Sequence, residues 1–206
     1  MSTPRDTLAG AFAVDPADLG RLRARLAGAA SDAGLLDVAY RTLDSPLGPL
    51  LVALTPVGVV RVAFAGEGHD AVLADLAERV GPRVLEHPAA ADETARQLED
   101  YFAGRRREIR VPVDWRLARG FRLTVLHHLA TDVAYGTTVS YAGLAALAGN
   151  PRAVRAVGTA CATNPVPLVV PCHRIVRSDG ATGSYRGGAQ AKRVLLDLEA
   201  RSPLGP

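Results

Sequence analysis

The strongest chemical signal in this 206-residue chain is a cysteine followed at once by a histidine, Pro171-Cys172-His173-Arg174. It closes the run Asn164-Pro165-Val166-Pro167-Leu168-Val169-Val170, which reads as a Pro-bracketed apolar strand. Cysteine is the most nucleophilic ordinary side chain, but only as thiolate, so it needs a base and a cationic or dipolar setting. His173 can be that base. Neighbours on a strand point to opposite faces, so a direct Cys172–His173 hydrogen bond is awkward. A bridging water, or a sharp turn at Cys172, resolves it. Pro171 removes a backbone donor and fixes the chain just before the nucleophile. His173 in turn needs an acidic partner to orient it and stabilise its cation. A C-terminal helix expected over 189–200 offers two, Asp197 and Glu199. The commoner fate of a cysteine is a buried inert thiol. Cys161, late in a helix and without such neighbours, reads that way.

Between His173 and that helix lies the glycine-rich stretch 178–188, Ser-Asp-Gly-Ala-Thr-Gly-Ser-Tyr-Arg-Gly-Gly. Such a loop can wrap a flat ligand and offer it backbone N–H groups. It lacks the P-loop pattern, so it is not read as a nucleotide-phosphate site.

The elements that must position these residues are legible in outline. Asp15-Pro16 starts a short N-terminal helix carrying Leu19, Leu22 and Leu26 at helical spacing, a face expected to pack. Runs 38–44, 50–55 and 59–65 are β-rich and punctuated by Pro-Leu-Gly and Pro-Val-Gly, which suggests an antiparallel meander. Stretches 71–80 and 92–102 are amphipathic helices, and 108–113 is expected to be a further strand. From Phe121 the pattern turns helical, with Phe121, Val125 and Leu129 on one face. His127 and His128 on that helix read as packing or surface residues, since no second ligand follows at i+4. Ser140 can cap one short helix that Gly149 ends. Asn150 can cap a second, with Pro151 at its first position. Two short helices about a glycine turn form a helix-turn-helix candidate. The second helix is rich in small residues, with Arg152 and Arg155 as long cations. That composition suits close approach to another surface, with phosphates or a gap in a base stack in reach, or equally tight packing in the core.

Charge is divided unevenly. Residues 1–114 carry 13 basic and 17 acidic side chains, a balance of −4, and residues 115–206 carry 11 and 4, a balance of +7. A basic half fits a polyanionic partner, nucleic acid by default, or a merely solvated surface. Two cysteines with no CxxC or Cys/His cluster argue against a disulfide scaffold and a structural zinc, and suit a reducing cytoplasm. No apolar run approaches the roughly 18 residues a membrane span needs, and no export signal is evident at the N-terminus.

Taken in order, the helix-turn-helix, Asn164-Pro165, Pro171-Cys172-His173-Arg174, Tyr185-Arg186-Gly187-Gly188 and Glu199 resemble the methylated-DNA–protein-cysteine methyltransferase family, the 6-O-alkylguanine-DNA alkyltransferases. The match runs from about Phe121 to Glu199, and residues 37–113 fit the family's variable N-terminal domain more loosely. The resemblance implies an α/β (α+β) fold. A small N-terminal α/β domain with an antiparallel sheet spans 37–113, after an extension over 1–36. A mainly helical DNA-binding and alkyl-acceptor domain with a winged-helix-like helix-turn-helix spans 114–206. It implies that Cys172 accepts the alkyl group irreversibly, in one turnover. His173 deprotonates it through a water and Glu199 orients His173. Asn164 braces the turn, and Tyr141 donates to the guanine ring as charge develops. Arg155 fills the gap left by the flipped base, with Arg152 and the small Ala153 beside it at the minor groove. Tyr185, Pro167 and the loop at Arg186 and Gly187 wall the guanine pocket, and backbone groups of Cys172 and Ile175 read the base edge. Arg186 stands where a small residue is common, which narrows the pocket or adds a phosphate contact. The partner implied is double-stranded DNA, with the protein a monomer and cooperative assembly on DNA left open. No cofactor is implied, since the DNA itself is the alkyl donor. No metal is implied either, because residues 1–160 contain no cysteine. A non-catalytic lesion-binding relative and a helix-turn-helix regulator are the alternatives.

Overall fold

The computed structural model describes residues 15–201. Asp15 caps the first helix, α1 (Pro16–Asp32), by accepting from the Ala17 N–H at 2.8 Å, and Pro16 occupies its first turn. The leucine face does not pack as expected. Leu22 and Leu26 are 57% and 59% exposed, and Ala27 is the buried residue of the helix. The spacing marked an apolar stripe correctly, but α1 meets the sheet beside its edge strand through a different face.

The sheet holds β1 (Val38–Leu43), β2 (Leu50–Thr55), β3 (Gly58–Phe64) and β4 (Val84–Glu86) in the order β3-β2-β1-β4. The first three form the expected antiparallel meander, with Leu43 opposite Leu50 and Leu50 opposite Phe64. The fourth, short and not read from the sequence, runs parallel to β1, so the sheet is mixed rather than purely antiparallel. β2 is buried at five of its six positions because both faces are covered, which is why it reads as a continuous apolar run. One face packs Val38, Leu51, Val60 and Ala63 against Val72 and Leu76 of α2 (His69–Arg79). The other, with Leu50, Val52, Val62 and Phe64, joins the core of the helical half.

The strand expected over 108–113 reduces to a single bridge between Val59 and Val113. Pro112 has no N–H to extend a ladder, and only its carbonyl is used, by the Val59 N–H at 2.8 Å. Helix α3 (Asp92–Phe102) buries Ala95, Leu98 and Tyr101.

The C-terminal half comprises α4 (Gly120–Asp132), β5 (Val139–Ser140), α5 (Tyr141–Leu147), α6 (Val154–Ala162), β6 (Ile175–Val176) and α7 (Gly188–Arg201). His127 stacks on Trp115 and His128 pairs with Asp132, both away from any chemistry. Ser140 caps α5 by accepting from Gly143 N–H at 3.0 Å, and Gly149 turns the chain at φ 76°. The second helix of the helix-turn-helix starts later than Asn150-Pro151. Backbone bonds, including Ala153 N–H to the Asn150 carbonyl at 2.9 Å, close a turn over 150–153, and α6 begins at Val154 without a side-chain cap.

The segment before Cys172 is not an extended strand. Three prolines, Pro165, Pro167 and Pro171, each remove a ladder donor. Leu168 adopts φ 73°, and Val170 N–H reaches the Val166 carbonyl at 2.9 Å. The chain coils tightly instead and enters a single 3-10 turn over Cys172–Arg174. The chain thus turns sharply at Cys172 rather than running on as a strand.

Candidate active site

Asn164, fully buried, is the first support of that turn. Its side-chain carbonyl accepts from Val166 N–H at 3.1 Å, and its amide donates to the Val170 carbonyl at 3.0 Å and to the Cys172 sulfur at 3.2 Å. It therefore braces the turn and also touches the Cys172 sulfur. Burial pushes the Cys172 thiol up to about 11, more than the Asn164 donor and the Lys192 charge pull it down. A thiol raised this far is protonated near neutrality, so any chemistry at this sulfur would need a base to take its proton.

His173, with no exposed surface, meets the Glu199 carboxylate through Nε2 at 2.9 Å. An Nε2–H donor leaves Nδ1 as the basic nitrogen, and Nδ1 has no protein partner. Burial lowers the histidine below its ordinary range, outweighing the pull of Glu199 in the other direction. The imidazole is therefore neutral near pH 7, with a free lone pair. Glu199 would be raised by burial, but hydrogen bonds from His173 and Arg174 prevail and hold it at about 2. Asp197, the other candidate, is exposed.

Two partners of Glu199 were not read from the sequence. Arg174 clamps it with Nε on one oxygen at 3.0 Å and Nη2 on the other at 3.0 Å, while its Nη1 donates to the Val133 carbonyl at 2.7 Å. A buried guanidinium directly after the histidine was the available signal, since such a charge needs a carboxylate. Tyr101 of α3 donates to Glu199 Oε1 at 2.7 Å, and no local pattern foretells a contact with α7. The Gly136 N–H adds a fifth donor at 3.0 Å. Lys192, also fully buried, donates to the carbonyl of Ile175, the residue whose backbone was expected to read the base.

The residues expected to wall a pocket lie along the turn at Cys172 and in the loop that follows it. Tyr185 stands edge-on to His173 at 6.2 Å and to Phe64 at 5.6 Å between ring centres, its hydroxyl buried and unpartnered. Pro167 and Ile175 are buried beside the turn. Tyr141 opens α5 half-buried, its hydroxyl against Gly183 of the loop, and burial raises its pKa. Gly187 abuts the Phe64 ring. Arg186 pairs with Glu67 at 2.5 Å, so its guanidinium faces the N-terminal half. Arg152 and Arg155 are exposed on the outer side of the helix-turn-helix, and Ala153 is half-buried between them. They are not drawn to the thiol. Instead α6 turns Val157, Ala160 and Cys161 inward and shows Arg155, Ala156 and Thr159 outward.

Fold and site together define a protein with a buried, braced thiol on a tight turn that follows a helix-turn-helix unit. Comparison with known proteins gives the particular family. The family model described as 6-O-methylguanine DNA methyltransferase, ribonuclease-like domain, matches residues 38–115, and the DNA binding domain of the same description matches 120–201. The chain is 38% identical over 185 residues to the mouse methylated-DNA–protein-cysteine methyltransferase, covering 81% of this chain and 82% of that one. It is 41% identical over 164 residues to the human protein of that name, covering 77% and 78%. A crystal structure of Mycobacterium tuberculosis O6-methylguanine methyltransferase matches with TM-score 0.70 at 36% identity, over 82% of this chain and 96% of that one. A crystal structure of the M. tuberculosis protein in complex with DNA matches with TM-score 0.67 at 35% identity, over 80% and 94%. The chain belongs to the 6-O-methylguanine DNA methyltransferase family. Among the described residues no helix is long and apolar enough to cross a membrane.

Proposed function

We propose that this protein repairs alkylated DNA directly, moving the alkyl group from the 6-oxygen of guanine in a duplex onto Cys172. The observation that carries the reading is the buried Cys172 thiol, touched by Asn164 and adjoining a neutral histidine that Glu199 and Arg174 hold in place. The thiol proton passes to Nδ1 of His173, through a water. The sulfur then attacks the alkyl carbon in line. A C–S bond forms and the C–O bond breaks, with its electron pair leaving on guanine. Tyr141 and backbone groups of Cys172 and Ile175 stabilise that anion until it is protonated. The product is a thioether that nothing in the site can cleave, so each molecule acts once.

A thiol this deep cannot meet a stacked base. The base is extruded, at a cost of a few kcal/mol that the weak pairing of an alkylated guanine reduces. Arg155 enters the stack in its place. Ala153 and Arg152 lie at the minor groove, where phosphate contacts position the protein without choosing a sequence. Tyr185, Pro167, Arg186 and Gly187 shape the pocket. Two free cysteines, one of them the nucleophile in this reading, suit a reducing compartment and support a cytoplasmic setting for the activity. The working unit in this reading is a monomer, with residues 37–113 and 114–206 as its two domains.

The test is mass spectrometry after incubation with a duplex containing 6-O-methylguanine. The Cys172 peptide gains one methyl group, and Cys172→Ala gains none. An unmodified wild-type peptide overturns the reading.

A further inference from the structure

Glu67 forms a second charged junction beside the site, separate from the His173–Glu199 pair. It ends the turn that follows β3. One carboxylate oxygen accepts from both Arg61 and Arg186, the latter at 2.5 Å, and the other accepts from the Phe64 N–H at 3.0 Å. The side chain is 12% exposed, which sets it apart from the solvated ion pairs of the surface. Arg61 and Arg186 also reach the two residues that open the reactive turn. Arg186 approaches the Asn164 carbonyl at 3.4 Å and Arg61 the Pro165 carbonyl at 3.5 Å, to which Val62 N–H donates at 2.9 Å. Beside these contacts Phe64 supports Tyr185 and touches Gly187. The end of β3 thus grips both flanks of Cys172: the Asn164-Pro165 turn, whose amide touches the sulfur, and the loop that carries Tyr185.

From this geometry we infer that Glu67 is a positioning residue for alkyl transfer. Through Arg186 it fixes the 184–188 loop against the reactive turn, and the N-terminal half thereby sets the transfer rate. The inference rests on the alkyl-transfer reading above. Two guanidinium groups meet at one carboxylate oxygen. Neutralising Glu67 leaves two like charges facing each other and lets the loop drift. A displacement of about 1 Å in a reacting group is costly to a rate even when binding is kept. Arg186 is engaged by this junction, so it contributes rate rather than a phosphate contact.

The experiment is single-turnover transfer by the full chain, followed against the concentration of a 6-O-methylguanine duplex, for wild type, Glu67→Gln, Arg186→Met and the double variant. Wild-type transfer establishes the underlying reaction, and its absence would refute that reading rather than this one. Each single variant is expected to lower the saturated rate about tenfold, with the half-saturating DNA concentration changed less than about twofold. The double variant falls no further than the worse single one, because both remove one contact. Arg186→Met leaves the Arg61–Glu67 pair intact, so a rate loss there with an unchanged melting temperature excludes a merely structural role. Unchanged saturated rates overturn the proposal, as do losses that multiply in the double variant. So does a weaker half-saturation at full rate for Arg186→Met, which would make Arg186 a DNA contact after all.

Discussion

Tyr101 near the end of α3 and Glu199 near the end of α7 meet through a 2.7 Å hydrogen bond, on the same carboxylate that holds His173. The oxygen used, Oε1, also receives His173 Nε2 and Arg174 Nη2. Every further donor draws charge from that oxygen and weakens its hold on an imidazolium. Tyr101→Phe should therefore raise the histidine pKa. The acid limb of the rate–pH profile moves up by roughly half a pH unit, and stability falls by about 1 kcal/mol for the lost bond. Transfer rates from pH 5 to 9, with urea unfolding alongside, check both. A profile that stays in place while stability drops would show that the tyrosine is only a strut.

The thiol at about 11 and the lowered histidine fix the shape of the wild-type profile. His173 must be neutral to accept the proton, so the rate is constant through neutrality and falls only where the imidazole is protonated, below its ordinary range. Without the base the sulfur must ionise unaided. For His173→Ala the rate should be at least about tenfold lower at pH 7 and climb about tenfold per pH unit toward pH 10. A flat profile for that variant would remove His173 from the proton path.

Glu199 links the site to acid stability. Its folded value of about 2 lies below its ordinary 4.5, so its contribution is complete above the ordinary value. It is lost as pH falls toward 2, and amounts to something on the order of 3 kcal/mol. Glu199→Gln forfeits it and leaves Arg174 buried beside a neutral amide, at a cost of about 3–5 kcal/mol at pH 7. The stability gap between wild type and variant, measured by denaturant unfolding, should be widest at neutrality and shrink between pH 4.5 and 2.5. A gap independent of pH would mean that the charge of Glu199 does not stabilise the fold.

The chemistry was more legible than its scaffold. Cys172 and His173 stand out by residue type and order, because a thiol needs a base. The residues alone left Asp197 and Glu199 both open as the orienting acid; the family resemblance favoured Glu199, and the contact with His173 falls to Glu199. The meander was readable from its proline–glycine punctuation. The 108–113 strand and the Asn150 cap were misread because backbone hydrogen bonding decided both segments, and it leaves no residue-type trace beyond Pro112 itself. Tyr101 and Glu67 lay out of reach for another reason. Each acts on a partner about a hundred residues away, and only the docking of the sheet and α3 onto the reactive turn brings them there. Leu22 and Leu26 illustrate the converse: periodicity marks an apolar face without saying that anything covers it.

Gly187 offers the sharpest steric test of how the N-terminal half shapes the pocket. Its backbone lies outside the left-handed region, so alanine meets no conformational penalty there. The obstacle is the Phe64 ring, since an added methyl would lie 2.8 Å from one ring carbon and 2.9 Å from the next. Phe64 is 4% exposed and held edge-on by Tyr185, so it cannot swing aside. The loop must move instead, carrying Tyr185, two residues earlier, with it. Gly187→Ala should cost about 1–3 kcal/mol, as overpacking does, and lower the transfer rate by a factor larger than any change in DNA affinity. Trimming the obstacle reverses the logic. Phe64→Leu alone loses packing and slows transfer, yet in the Gly187→Ala background it restores part of the rate, giving a favourable coupling between the two positions. A four-variant cycle of melting temperature and single-turnover rate measures that coupling. Strictly additive effects would show that the Phe64 ring does not fix where the pocket loop sits.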